Sequence, residues 1–256
     1  APWMNGLHLL NGAGAFITPL IMTLSISLTN DIVFSYRFNG IIFFLAAVFV
    51  FITPSPEIRK RQNRNFTYSG KTIVSIVLTT AAALLYVGTE VSFSGWIFSY
   101  TRAILNSSNS TAGIMTSFFW GSVTIGRLIS IPLSRKVNPE KFLIADLLGA
   151  AIGISFIFLF SSSAFTISIG TIIFGISMAS FFPNLLAFTE KYIGITGRIN
   201  GIIFTGTALG GMSLPYLSGQ LFQKIGPHMV MGGIIIYILI NLILTLINIK
   251  IQKGKK

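Results

Sequence analysis

The sequence predicts an all-α polytopic membrane protein with eight transmembrane helices, and three observations carry that prediction. Hydrophobic residues fill 52% of the 256 positions and charged residues only 9%, with a mean hydropathy of +0.78. A soluble domain carries about 25% charged residues, because it must cover itself with water-compatible surface. The apolar residues also fall in runs suited to a bilayer core of about 30 Å, which takes about 20 residues per helix. Few alternating ten-residue patterns of the kind a barrel needs interrupt them. Finally, the basic residues gather in alternate connections, as they do in proteins oriented by a membrane.

Each span is closed by polar or basic punctuation. The first, 5–29, opens on "NGLHLLNGAGAFITPL". The second, 32–54, carries Arg37 in its first turns. A basic stretch over 55–71 follows. The third, 72–99, contains "YVGTEVSFSGW" and so takes a carboxylate, Glu90, into an apolar run. The fourth, 112–134, contains Arg127, and the fifth, 140–161, contains Asp146. The sixth, 164–189, holds "FFPNLL", whose Pro183 predicts a kink. The seventh, 197–222, begins "NGIIFTGTALGGMSLPYL" at Asn200. The eighth, 227–249, runs into a lysine-rich tail. Glycines within the spans suit membrane helices that pack closely.

Charge fixes the expected topology. Fourteen of the eighteen Lys and Arg residues lie in one set of connections: Arg59, Lys60, Arg61, Arg64, Lys71, Arg135, Lys136, Lys141, Lys191, Arg198, Lys250, Lys253, Lys255 and Lys256. The opposite set has Arg37, Arg102 and Lys224, and Arg127 lies inside a span. Positive residues stay on the cytoplasmic side, so both chain ends are expected there. The net charge of +12 is therefore a topology signal, and a nucleic-acid partner is excluded. The partner implied instead is the lipid bilayer. The outer loop "NSSNST" carries glycosylation acceptor patterns at Asn106 and Asn109, on the side where the modification is made. A third match, at Asn65, falls on the cytoplasmic side and is expected to be silent. There are no cysteines, which excludes disulfides, thiol chemistry and thiolate metal sites. The chain starts at Ala1 with nothing like the basic n-region of a signal peptide.

An internal match suggests a larger plan. Spans one and seven both begin Asn-Gly (Asn5, Asn200), carry small residues mid-span and reach a proline 14 or 15 residues later (Pro19, Pro215). Such a match implies a six-span unit repeated in parallel, as in transporters built from two six-helix halves. It makes the first span the fifth of a first half, with four spans missing before Ala1. On these residues, and on "HLLNGAGAFITP", "LLYVGTEVSFSGWIFSY", "FFWGSVTIGRLISIPLSRKV" and "SFFPNLLAFTEKYIG", the chain resembles the major facilitator superfamily from its fifth helix to its twelfth. Within that superfamily it is similar to the branch of fucose–proton symporters and sodium-dependent glucose transporters, including MFSD4-like proteins. The resemblance implies two helices of an N-terminal half (1–54), an inter-half loop (55–71), a six-helix C-terminal half (72–250) and a basic tail (251–256). It implies secondary transport of a hexose-like sugar by alternating access, with Na⁺ or H⁺ as the coupling ion, no organic cofactor, and a plasma-membrane location. Two rival readings are a non-transporting membrane protein (a truncated product or an assembly partner) and a carrier of a lipid-like or amphipathic solute.

Burying an ionisable side chain mid-membrane costs at least about 2.5–3.5 kcal/mol, so each one needs a reason. Glu90 shares a helical face with Tyr86, four residues before it. A carboxylate there can accept sugar hydroxyls, ligate Na⁺ or take a proton, while Tyr86 and Trp96 offer flat faces to a pyranose ring. The bland alternative is that Glu90 pairs with a polar group on a neighbouring helix. Gly88 and Gly95 introduce flexible points in the outer half of that span. Arg127 and Asp146 lie at roughly matched depth, about 10 Å from one membrane edge on a rise of 1.5 Å per residue. They predict a gating salt bridge, with a snorkelling arginine as the alternative. The superfamily resemblance likewise places "GR" of this helix in a cytoplasmic charge network that stabilises one access state. Thr116, Trp120, Thr124 and Arg127 form one stripe, so Trp120 is a candidate wall of a solute cavity. Thr205 and Thr207 are weaker candidates, since threonines also bond back to their own helix. Asn184 is expected to satisfy a carbonyl freed at the Pro183 kink, or to close an inner gate with Glu190. Asn5 and His8 suit an interhelical hydrogen bond. Nothing resembles a catalytic triad, a metal cluster or a phosphate loop, and "GTALGG" has no preceding strand. Catalysis is not expected.

Overall fold

A computed structural model describes residues 33–54 and 69–254, together with Gly14, Ile17, Ile21, Ser25, Leu28, Thr29 and Asp31. Most of the first span, with Asn5, His8 and Pro19, lies outside the described residues. So do residues 55–68, with Arg59, Lys60, Arg61, Arg64 and Asn65, and the last two lysines. Eight helices are described: α1 (Val33–Ile52), α2 (Gly70–Leu105), α3 (Asn109–Leu133), α4 (Pro139–Leu159), α5 (Ala164–Met178), α6 (Phe181–Tyr192), α7 (Gly197–Lys224) and α8 (His228–Lys253). They fall into two compact units, one containing α1 and the other α2 to α8.

In the first unit, the Asp31 carboxylate accepts the Val33 backbone N–H at 2.8 Å and caps the start of α1. Only Ser35 of that helix is buried. Its apolar side chains are largely exposed, which suits a lipid environment.

In the second unit, hydroxyl side chains cap most helix starts. Ser69, Ser108 and Thr196 accept from Thr72, Thr111 and Ile199, while Ser163 and Thr166 form a reciprocal capping box at α5. α2 ends at Asn106 in the left-handed region (φ 47°), where asparagine is among the few tolerated side chains. Asn106 and Asn109 both lie exposed around the α2–α3 loop.

α2 is the central pillar, packing most extensively on α7 and also on α8 and α3, while α4 lies against α5 and α8. The α2–α7 contact depends on absent side chains. A Cβ at Gly210 would stand 2.0 Å from the Leu84 carbonyl oxygen, and one at Gly206 would stand 2.8 Å from that of Thr80. Gly88 likewise meets Leu214 and the Gly210 carbonyl. α2 continues as helix through Gly88 and Gly95, and Gly88 serves the close approach to α7. Against α8 the pillar is held by polar groups. Asn248 donates to Thr79 at 3.0 Å and accepts from Ser75, and Asn241 donates to the Ala82 carbonyl at 3.2 Å. Deeper in the unit, Phe93 packs on Phe119 and Phe174 with ring centroids 5.1 and 4.5 Å away.

Six segments among the described residues are long and apolar enough to cross a membrane, with α5 and α6 together forming one of them. Of the eight expected spans, most of the first lies outside the described residues. The seventh is α7, which has the length, at 28 residues, but not the apolarity. Asn200, Thr205, Thr207, Ser213, Ser218, Gln220 and its glycines dilute it. The expected sixth span is interrupted, ending α5 at Met178 and starting α6 at Phe181. Pro183 supplies the cause, because it has no N–H for the carbonyl four residues back, Ala179, and its ring crowds that carbonyl.

Candidate functional site

The α5–α6 break, α2, α3 and α7 enclose a cavity of about 220 Å³ lined by Tyr86, Val87, Glu90, Trp120, Arg127, Phe182, Pro183, Phe204 and Thr207. The periodicity of each helix brings its contributors to one side. Tyr86 and Glu90 are a turn apart on α2, Trp120 and Arg127 two turns apart on α3, and Phe204 and Thr207 three residues apart on α7. Aromatic rings make up much of the wall. Tyr86 stacks on Phe181 and Phe182 at 5.1 and 6.1 Å, and Phe182 meets Phe204 edge-on at 5.6 Å.

The charged centre is an ion pair between Arg127 Nη2 and Glu90 Oε1 at 3.6 Å, with side chains 6% and 13% exposed. The gating pair expected between Arg127 and Asp146 is therefore replaced. Asp146, buried on α4, accepts instead the Ser180 hydroxyl at 2.8 Å. Counting residues from a membrane edge assigns depth only to helices that stand upright. Membrane helices tilt by about 20° on average, and an arginine side chain reaches several ångströms from its Cα. The neighbour-pairing alternative for Glu90 describes the geometry, and the neighbour is Arg127.

The break between α5 and α6 is tied to this centre from two sides. The Tyr86 hydroxyl donates to the Met178 carbonyl at 3.0 Å, capping one of the carbonyls left at the end of α5. Ser180 bonds Asp146 through its side chain, and its carbonyl accepts the Asn184 side-chain amide at 2.9 Å. That amide meets the carbonyl one residue beyond Ala179, the one Pro183 leaves unmet. Asn184 and Asp146 support the break without lining the cavity. Glu190 turns to its own loop, accepting the Ile195 N–H at 2.5 Å.

Trp96 is placed elsewhere. Its indole N–H donates to the Pro215 carbonyl at 3.0 Å and its ring packs on Phe222 at 5.1 Å and over Gly219. It fills the α2–α7 seam, where its partners are on α7. Thr205 bonds back to Gly201 on an exposed face, whereas Thr207 bonds back to Phe204 and reaches the cavity. Sequence reasoning missed Val87, Ser180, Phe182 and Phe204. Two of these carried a usable signal: Ser180 stands four residues before Asn184, and Phe204 three before Thr207.

The site is thus a small aromatic-walled cavity with a buried ion pair beside a broken helix. A family model for the Major Facilitator Superfamily matches residues 3–215 and 78–255. The chain belongs to the Major Facilitator Superfamily. Members of this superfamily are transporters rather than enzymes. The chain is 33% identical over 169 residues to major facilitator superfamily domain-containing protein 4A of Xenopus tropicalis, covering 65% of this chain and 34% of the relative. The human protein of that name is 30% identical over 169 residues, covering 65% and 33%. Sodium-dependent glucose transporter 1A of Mus musculus is 25% identical over 258 residues, covering 86% of this chain and 61% of the relative. The chain thus spans about a third of the length of the first two. In fold, this superfamily member is similar to the outward conformation of the transporter FucP, with a TM-score of 0.65 and 17% identity over 88% of this chain and 55% of that one.

Proposed function

We propose that this chain is part of a secondary active transporter that moves a hexose-like sugar across a membrane by alternating access, coupled to Na⁺ or H⁺. The observation that carries the reading is the cavity itself, in which aromatic faces surround an ion pair and a threonine hydroxyl. Flat rings suit the apolar faces of a sugar, and a carboxylate with a guanidinium binds its hydroxyls from both the accepting and the donating side. A volume of about 220 Å³ is below the roughly 300–1,000 Å³ of sites for drug-sized ligands, which favours a small polar solute over a lipid-like one. The name of the mouse relative, a sodium-dependent glucose transporter, agrees with a sugar and with Na⁺.

In this mechanism Glu90 is the coupling residue. With the cation absent, Arg127 neutralises it; Na⁺ or a proton arriving at the carboxylate releases the guanidinium toward the solute. Tyr86 and Trp120 hold the ring, and Pro183 keeps the α5–α6 break in which Ser180, Asp146 and Asn184 form an inner gate. A plasma-membrane site, cytoplasmic chain ends and glycans on Asn106 or Asn109 complete the proposal.

The test is uptake of radiolabelled glucose and fucose into proteoliposomes containing the full chain, under imposed Na⁺ or proton gradients. Gradient-driven uptake that Glu90→Gln uncouples is the expected result. Absence of protein-dependent uptake and of saturable sugar binding under both gradients rejects the sugar reading; uptake unchanged in Glu90→Gln rejects the coupling role.

A further inference from the structure

A second cavity, of about 320 Å³, lies where the start of α4, the end of α6 and the end of α8 converge, lined by Asn138, Glu140, Lys141, Lys191, Tyr192, Gln252 and Lys253. Its chemistry differs from that of the solute cavity. Glu140, buried at the first turn of α4, is engaged through one oxygen, which accepts Lys191 at 2.7 Å and the Tyr192 hydroxyl at 2.6 Å. Lys141 and Lys253 also line the cavity, both exposed, and neither forms an ion pair among the described residues. Asn138, at the N-cap of α4, also lines this space; its side chain makes no capping bond.

The deciding feature is Gln252. It is 1% exposed, and neither its amide nitrogen nor its amide oxygen has a hydrogen-bond partner. A buried, unmet amide is costly and rare in native proteins. Here it forms part of the wall of a cavity with room for the missing partner. An amide donor and two lysines around one space match a compact polyoxyanion.

We propose that this cavity binds a phosphate group, presented either by an anionic lipid headgroup or by a soluble phosphate compound. The site is separate from the sugar cavity and does not depend on what the chain transports. Gln252 donates its amide N–H to a phosphate oxygen, Lys141 and Lys253 neutralise the charge, and Lys191 stays with Glu140, which shapes the pocket without repelling the ligand.

The test uses the full chain in nanodiscs of phosphatidylcholine, with and without phosphatidylinositol 4-phosphate. Native mass spectrometry reads lipid retention, and the unfolding midpoint is measured with inorganic phosphate or inositol trisphosphate. Wild type should retain the phosphoinositide over phosphatidylcholine, or gain stability from the soluble phosphates; which of the two occurs identifies the source. Lys141→Gln and Lys253→Gln should each weaken binding about five-fold. Gln252→Leu should weaken binding while leaving the midpoint in phosphatidylcholine alone equal or higher, since it removes an unmet amide. Should Gln252→Leu fail to fold, the two exposed lysines decide. Phosphate binding equal in wild type and all variants, or no binding of any probe, overturns the proposal and leaves a water-filled cavity.

Discussion

Neutralising Arg127 separates the observed pairing from the one that helix depth suggested. At 3.6 Å and an effective dielectric constant of about 20, the attraction between Arg127 and Glu90 is about 4–5 kcal/mol. Desolvation of both groups cancels much of this, so the pair as a whole adds little. Breaking it from one side leaves a buried charge uncompensated, which costs about 3–5 kcal/mol. Arg127→Gln and Glu90→Gln should therefore each lower the unfolding midpoint of the purified chain by roughly 10 °C, on a scale of about 2–4 °C per kcal/mol at this size. The double variant should recover much of that loss, giving a coupling of about 2–3 kcal/mol in a double-mutant cycle. Arg127→Gln combined with Asp146→Asn should be additive, because Asp146 is engaged by Ser180. Additivity in the Glu90 cycle with coupling in the Asp146 cycle refutes the pairing and restores the one suggested by depth.

Other consequences of the geometry can be checked by thermal unfolding. Gly210→Ala should destabilise by about 1–3 kcal/mol, since its Cβ would stand 2.0 Å from a carbonyl oxygen; Gly95→Ala, with no neighbour within 4 Å, should be neutral or slightly stabilising. Ser180→Ala should cost about 1–3 kcal/mol by leaving the buried Asp146 without its donor, and Ser180→Thr should recover part of this by returning the hydroxyl. Tyr192→Phe should cost about 1 kcal/mol through the lost bond to Glu140 and should make stability more sensitive to salt, because Glu140 would then depend on Lys191 alone.

Much of the candidate site was legible in the residues. Glu90 and Arg127 stood out because an ionisable group in an apolar run needs a reason, and helical periodicity attached Tyr86 to the first and Trp120 to the second. Pro183 announced a break because a missing N–H acts on its own helix. The placement of Trp96 and the packing role of Gly88 could not be read in the same way. A tryptophan beside a carboxylate has the right type, but its direction depends on which helix faces it, and a glycine looks the same in sequence whether it bends a helix or admits a neighbour.

What the sequence determined by itself was therefore what a bilayer or a single helix imposes: a membrane-spanning, all-helical chain, the location of six of its apolar segments among the described residues, and the few charges that cost too much to be accidental. Tertiary structure alone decided the pairings. Arg127 went to Glu90 and Asp146 to Ser180, Trp96 turned to the α7 seam, and Gln252 came to line a cavity with its amide unmet. The physical reason is range. Burial cost and periodicity act within one helix and can be read along the chain, whereas a partner is set by tilt, rotation and close approach between helices far apart in sequence.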